Sequence, residues 1–406
     1  LIRIPQVISS NQKIQMLSSI PQRGFPQSEF EHRAQKAQRV MNEEKLDAIL
    51  LTTEPNVRYF SGFLTQFWQS PTRPWFLIVP REGELIAVIP EIGRAGMEST
   101  WVNDIRTWGS PCPEDDGITL LAQALSEVTV RFGRIGMTLG QESHLRMPAN
   151  NFKQMTEKIS PTEIVDVALH LHSLKKIKSE AEIQKIEHIC QITSGAFENL
   201  PSQIRIGETQ RQICLKLRQD ILKRGGDNSP YLIAGSGSGG YDNIIMGPTE
   251  SVLENGHVLI IDTGSTFDGY FCDFDRNFAF GNLPEEARRA YETVYRATDV
   301  GIESARPGKT TTDVWQAMWS VLEKGGALGN SVGRMGHGLG MELTEWPSVM
   351  PGDDTLLEPG MVLTIEPGMS FAPGKEMVHE ENILITEEGA RILTRRAPAE
   401  MPIILN

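Results

Sequence analysis

Six carboxylates and one imidazole interrupt the apolar stretches in the C-terminal half of this chain. Asp262 follows "VLII", Asp273 and Asp275 alternate through "YFCDFDRNF", Glu366 follows "MVLTI", Glu380 and Glu381 precede "NILIT", and His337 lies in the glycine cluster "GRMGHGLGM". Taken singly, each has an ordinary reading: an aspartate after a strand is usually a turn or cap residue. Together they are hard or borderline metal ligands delivered from strands or a tight loop. Isolated buried carboxylates are costly unless something positive compensates them. Two divalent ions would balance the four charges of Asp262, Asp273, Glu366 and Glu381; without metal the four would repel and several would protonate. Oxygen-rich ligation with a single imidazole suits Mn²⁺, Co²⁺, Fe²⁺ or Zn²⁺.

The elements that must position these groups follow from pattern. The 406 residues suggest two domains or three, and a hydrophobic fraction of 39% with 22% charged residues permits a large core. Net charge is −13 and no Lys/Arg run is long enough to track phosphates, which argues against a nucleic-acid partner. No apolar run reaches the roughly 20 residues of a membrane span. The four cysteines form no CxxC pair, and the N-terminal stretch lacks a compact apolar core with a cleavage site. A reducing, cytoplasmic location is therefore expected. Residues 1–27 read as a loosely ordered arm. Residues 28–173 alternate helical and short apolar runs ("DAILLTT", "PWFLIVP", "LIAVIP", "RIGMTLG"), an α/β pattern. From 174 to 406 the order is helix, helix, strands, then helix, helix, strands, a half duplicated as architecture. Ser179 and Glu182 predict a capping box on the first of these helices, and Gly225–Gly226 a stop for the second.

"IDTGSTFDGYFCDFDRNF", "GHGLGMELTEWPSV", "GMVLTIEPGMSF" and "MVHEENILITEEG" resemble the motif set of the methionine aminopeptidase, prolidase, aminopeptidase P and creatinase superfamily, as "NVRYFSGF" and "SLKKIKSEAEI" resemble its N-domain signature and inter-domain helix start. The resemblance implies a creatinase-like α/β N-terminal domain followed by a pita-bread catalytic domain with pseudo-twofold duplicated halves. It implies two divalent metal ions, Mn²⁺ favoured, held by Asp262, Asp273, His337, Glu366 and Glu381, with Glu366 also handling the proton of the attacking water. Asp275 stands where the family often has Thr. It is either a partner that orients a ligand or one half of an ion pair with Arg276 or another basic group.

This chain departs from the family's peptidases on the substrate side. Ile245 and Thr344 occupy the places of two histidines, and His379 falls where an arginine often stands. An imidazole titrating near neutrality would suit His379 to proton shuttling. The leading expectation is hydrolysis of an amide in a small Xaa-Pro-like peptide by a metal-bridging hydroxide. A second keeps the metals and changes the substrate to a small metabolite, as in creatinase, ectoine hydrolase or a sulfonium lyase. A third is a binding protein on an inactive scaffold. The resemblance also implies a homodimer in which the N-terminal domain, with Arg73 in "FLTQFWQSPTRPWF", narrows the pocket of the partner.

Overall fold

The computed structural model describes residues 20–329 and 333–405. Two units result, one of Gly24–Lys175 and one containing Lys176–Asn406, with Ile20–Arg23 counted in the second. Most of the expected N-terminal arm lies outside the described residues.

The first unit is built on a six-stranded sheet of β1 (Ala48–Leu51), β2 (Phe76–Pro80), β3 (Ile86–Pro90), β4 (Asp104–Trp108), β5 (Arg134–Met137) and β6 (Glu163–Asp166) in the order β4-β3-β2-β1-β5-β6. Pairing is parallel for β4–β3, β1–β5 and β5–β6 and antiparallel around β2. Its helices are α1 (Gln27–Glu44), α2 (Glu54–Ser61), α3 (Arg94–Glu98), α4 (Ile118–Val128), α5 (Ala149–Lys158) and α6 (Ala168–Lys176). Strands β1, β2 and β3 read as continuous apolar runs because they are buried throughout. Asp47, buried before β1, is fully compensated: its carboxylate accepts from the backbone N–H groups of Arg131, Phe132 and Gly133 at 3.1, 2.7 and 2.7 Å.

The second unit repeats a helix pair and a sheet. Helices α7 (Glu180–Asn199) and α8 (Gln210–Arg224) precede β7 (Asn228–Ser238), β8 (His257–Phe267) and β9 (Tyr270–Phe280). Helices α9 (Glu285–Ser304) and α10 (Thr311–Lys324) precede β10 (His337–Gly338), β11 (Glu345–Ser348), β12 (Val362–Ile365), the hairpin β13–β14 (Gly368–Ala372, Lys375–Val378), β15 (Glu381–Thr386) and β16 (Gly389–Ile392). One sheet runs β17-β9-β8-β7, its edge strand β17 being Ile403–Ile404; the other runs β11-β10-β12-β15-β16. The capping box of Ser179 and Glu182 forms, and α8 ends on Gly225 at φ +107°, a conformation that favours glycine. A core of Val258, Ile260, Val294, Met318, Leu363, Ile383 and Ile385 packs elements of both halves together.

Candidate metal centre

Strand register gathers the acids. Asp262 on β8 lies directly opposite Asp275 on β9, and Gly264 opposite Asp273. Asp273 and Asp275 share a face by alternation, so three carboxylates stand on one patch of the sheet. Glu366 comes from the two-residue break between β12 and β13. His337 opens β10.

Nε2 of His337 is 3.5 Å from Oδ2 of Asp273 and 3.5 Å from Oε1 of Glu366. Asp273, His337 and Glu380 each offer a ligand atom, all within 4.8 Å of one another. Nδ1 of His337 lies 2.8 Å from the carbonyl of Gly338. Donation there fixes the tautomer and leaves Nε2 as a lone pair facing the acids. Asn382 spans the gap between the two sheets: its Oδ1 accepts from Asp273 N at 3.0 Å and its Nδ2 donates to the Asp273 carbonyl. Thr364 donates to Glu366 Oε1 at 3.3 Å and accepts from His337 N at 3.0 Å.

The electrostatics are those of a site short of positive charge. Burial pushes Asp262 and Glu366 up to about 7, although Glu366 keeps 17% of its side chain exposed. Burial, reinforced by mutual repulsion, raises Asp273, Asp275 and Glu380 well above the usual carboxylate range. Burial lowers His337 to about 4, so its imidazole is neutral at pH 7 and ready to ligate. One oxygen each of Asp262, Asp273, Asp275 and Glu380 is buried with no hydrogen-bond partner among the described residues. Orphaned buried acceptors of this number are expensive, and divalent cations are the partners this donor set fits.

The structure places two expected site residues away from the cluster. Glu381 is not in the cluster; Glu380 is. Alternation puts Glu381 on the side of Ile383 and Ile385, which belong to the apolar core. There its carboxylate accepts from Arg276 at 3.1 Å, Arg396 at 3.1 Å, Ala397 N at 3.1 Å and the Thr394 hydroxyl, leaving no unfilled need. Glu380 sits in the break between β14 and β15 and keeps an unpartnered oxygen. His379, expected to shuttle protons, is enclosed by groups outside that cluster. It is buried between Tyr291 and Tyr295, with Nδ1 3.2 Å from the Thr298 hydroxyl and Arg396 against the ring at 3.0 and 3.1 Å. Burial, then the neighbouring guanidiniums, lower it well below the ordinary histidine value.

Thr344 lies in the turn before β11, where its hydroxyl accepts from Arg334 at 3.2 Å. Ile245 is 76% exposed in the connection between β7 and β8. Arg73 belongs to the first unit, stacked on Phe67 with 5.2 Å to the ring centroid. Its loop is gathered by Arg146, which donates to the carbonyls of Phe67, Thr72 and Arg73 at 3.0, 3.2 and 3.3 Å. Three residues escaped the sequence reading. Arg334 lies near enough to favour the charged forms of Asp273 and Glu366 and to disfavour a charge on His337. Tyr231 lies near enough to Asp262 to favour its charged form. Lys178, from the capping segment of α7, makes a buried 2.8 Å ion pair with Glu345, whose other oxygen accepts from Met341 N and Glu342 N and so holds the turn that carries Thr344.

The fold and site define a metallohydrolase with a duplicated helix-and-sheet catalytic unit. Residues 184–387 match the model of metallopeptidase family M24 and residues 33–175 that of the creatinase/prolidase N-terminal domain; the chain belongs to the M24 family. Among curated relatives, the Xaa-Pro dipeptidase of Pyrococcus furiosus is 27% identical over 90% of this chain and 98% of its own length. Among solved structures, the prolidase of Pyrococcus furiosus superposes with a TM-score of 0.74 at 26% identity, covering 89% of this chain and 100% of that one. The prolidase of Thermococcus sibiricus does so with a TM-score of 0.83 at 23% identity, covering 92% and 99%.

Proposed function

We propose that this metallopeptidase cleaves the amide bond before proline in dipeptides or short peptides, using two divalent ions held by Asp262, Asp273, His337, Glu366 and Glu380. One observation carries the reading: buried carboxylates with unpartnered oxygens converge on a neutral imidazole whose free nitrogen faces them. When bound, such ions make a water acidic enough to attack near neutral pH and polarise the scissile carbonyl. The oxygen-rich donor set favours Mn²⁺.

The remaining roles fall to the chain. Thr364 orients Glu366, which is the carboxylate assigned to take the attacking water's proton and return it to the leaving nitrogen. Asn382 fixes the Asp273 backbone and ties β9 of one sheet to β15 of the other. Arg334, on Thr344, supplies a fixed positive charge beside the acids, suited to a substrate carboxylate or carbonyl oxygen. The resemblance adds a homodimer acting in the cytoplasm, with a small peptide as its partner.

A second reading, a small carboxylated metabolite as substrate, is favoured by Thr344 and the exposed Ile245 at positions where the family's peptidases carry imidazoles. The test is to strip the protein with chelator, restore Mn²⁺ and compare Xaa-Pro dipeptides, longer Xaa-Pro peptides and Xaa-Ala controls. Metal-dependent turnover confined to the Xaa-Pro substrates is expected. No turnover of any peptide by the fully loaded protein would refute the peptidase reading and favour the second.

A further inference from the structure

We infer that Asp275 is a further metal-holding carboxylate of this centre, and that it biases the centre toward an oxygen-preferring ion of the Mn²⁺ kind over Zn²⁺. The inference rests on the proposal that the cluster takes divalent ions. It concerns a residue outside the five already assigned.

Directly opposite residues of antiparallel strands have Cβ atoms roughly 4.5–5.5 Å apart, and Asp275 is directly opposite Asp262. It lies two residues from Asp273 on the same face. It is 1% exposed, and its Oδ2 has no hydrogen-bond partner among the described residues. Its Oδ1 has one long contact, from Asn277 Nδ2 at 3.4 Å; that nitrogen is better placed on the Val378 carbonyl at 2.7 Å.

The ion-pair alternative is weakened by where Arg276 points. Its Nη1 donates to the backbone carbonyls of Asp275 and Glu380 at 2.6 and 3.0 Å. Its Nη2 donates to Glu381 at 3.1 Å and to the Arg395 carbonyl at 2.6 Å. Neither terminal nitrogen reaches the Asp275 carboxylate by these bonds. Elsewhere in the chain a buried aspartate is provided for: Asp47 has three backbone donors, and Asp268 has the ammonium of Lys185. The Asp275 carboxylate has only the long contact from Asn277. A further carboxylate makes the donor set harder, and hard donors suit Mn²⁺ better than the softer ions that prefer imidazole and thiolate.

The test uses the full chain, stripped of metal, as wild type, Asp275→Asn and Asp275→Thr. Calorimetric titration with Mn²⁺ and, separately, Zn²⁺ reads affinity and stoichiometry without any substrate. Both variants should lose about tenfold or more in Mn²⁺ affinity, the scale of losses when groups around a metal are removed, and lose less toward Zn²⁺, so that the Mn²⁺/Zn²⁺ preference falls. Asparagine keeps the shape, and threonine fits a small polar space, so at least one variant should match the wild type in metal-free circular dichroism. Wild-type affinities and an unchanged ion preference in a folded variant would overturn the inference while leaving the five-residue centre standing. A wild-type chain that takes up neither ion would overturn both.

Discussion

Exchanging the two adjacent glutamates for glutamine separates the metal centre from the framework around it. Glu381 is completely buried and holds two arginines, Arg276 and Arg396. Removing one partner of a buried ion pair typically costs about 3–5 kcal/mol. Arg396 keeps Asp299 at 2.8 Å, which places Glu381→Gln toward the lower end of that range. At about 2–4 °C per kcal/mol for a domain of this size, the melting temperature should fall by roughly 10 °C. Metal stoichiometry at saturation should survive in the folded fraction. Glu380→Gln should do the reverse. It removes a like charge from a repelling cluster, so the metal-free protein should melt at the wild-type temperature or above. Its affinity for Mn²⁺ should fall about tenfold or more, and the stabilisation that metal confers should shrink with it. Scanning calorimetry of stripped and loaded protein, with elemental analysis of the loaded samples, reads both quantities. If Glu381→Gln abolishes metal uptake without lowering the metal-free melting temperature, while Glu380→Gln binds normally, the assignment is wrong.

That pair also shows what was legible in the residues alone. Strands β1, β2, β3 and β5 of the first unit, the capping box at Ser179 and the helix stop at Gly225 are local signals, and each lies where its local chemistry predicts, whereas the more polar β4 and β6 do not read as strands in the sequence. Asp262, Asp273, His337 and Glu366 are brought together because strand alternation and the glycine-rich loop are also local. Glu380 and Glu381 differ by one position, and the resemblance alone, without the break at His379–Glu380, places the last ligand on Glu381. The parity of Glu381 with Ile383 and Ile385 was the available signal that it faces the core. The arginines that make this tolerable, Arg276 and Arg396, are 105 and 15 residues away. The surroundings of His379 were hidden for the same reason: Tyr291, Tyr295 and Thr298 on α9 enclose it, and no local pattern announces a neighbour from a distant helix. Arg334 carried no sequence signal because its role depends on which way a glycine-flanked side chain turns.

Two further outcomes follow from the charge arrangement. In the metal-free protein Asp262 and Glu366 titrate at about 7, above their ordinary values of 3.8 and 4.5, so between about pH 4 and 7 the folded state binds more protons than the unfolded one. Their contribution is therefore lost as pH rises through that window. His337 and His379, held below 6.5, act oppositely and lose stability as pH falls below it. Because Asp273, Asp275 and Glu380 add to the acidic side, the stripped protein should melt lower at pH 8 than at pH 6 and the loaded protein should not. A stripped protein whose melting temperature climbs steadily over that range would refute this. Arg334→Met addresses the substrate side. A hydrogen bond to a charged group contributes about 1.5–3 kcal/mol, so KM for an Xaa-Pro dipeptide should rise tenfold or more with kcat less affected. The C-terminally amidated substrate should change little, and Arg334→Lys should recover only part, because an ammonium lacks the planar fork. The same variant should bind Mn²⁺ more tightly, since a cation has been taken from beside Asp273 and Glu366. Equal losses on free and amidated substrates, with metal affinity unmoved, would show that Arg334 merely packs against Thr344.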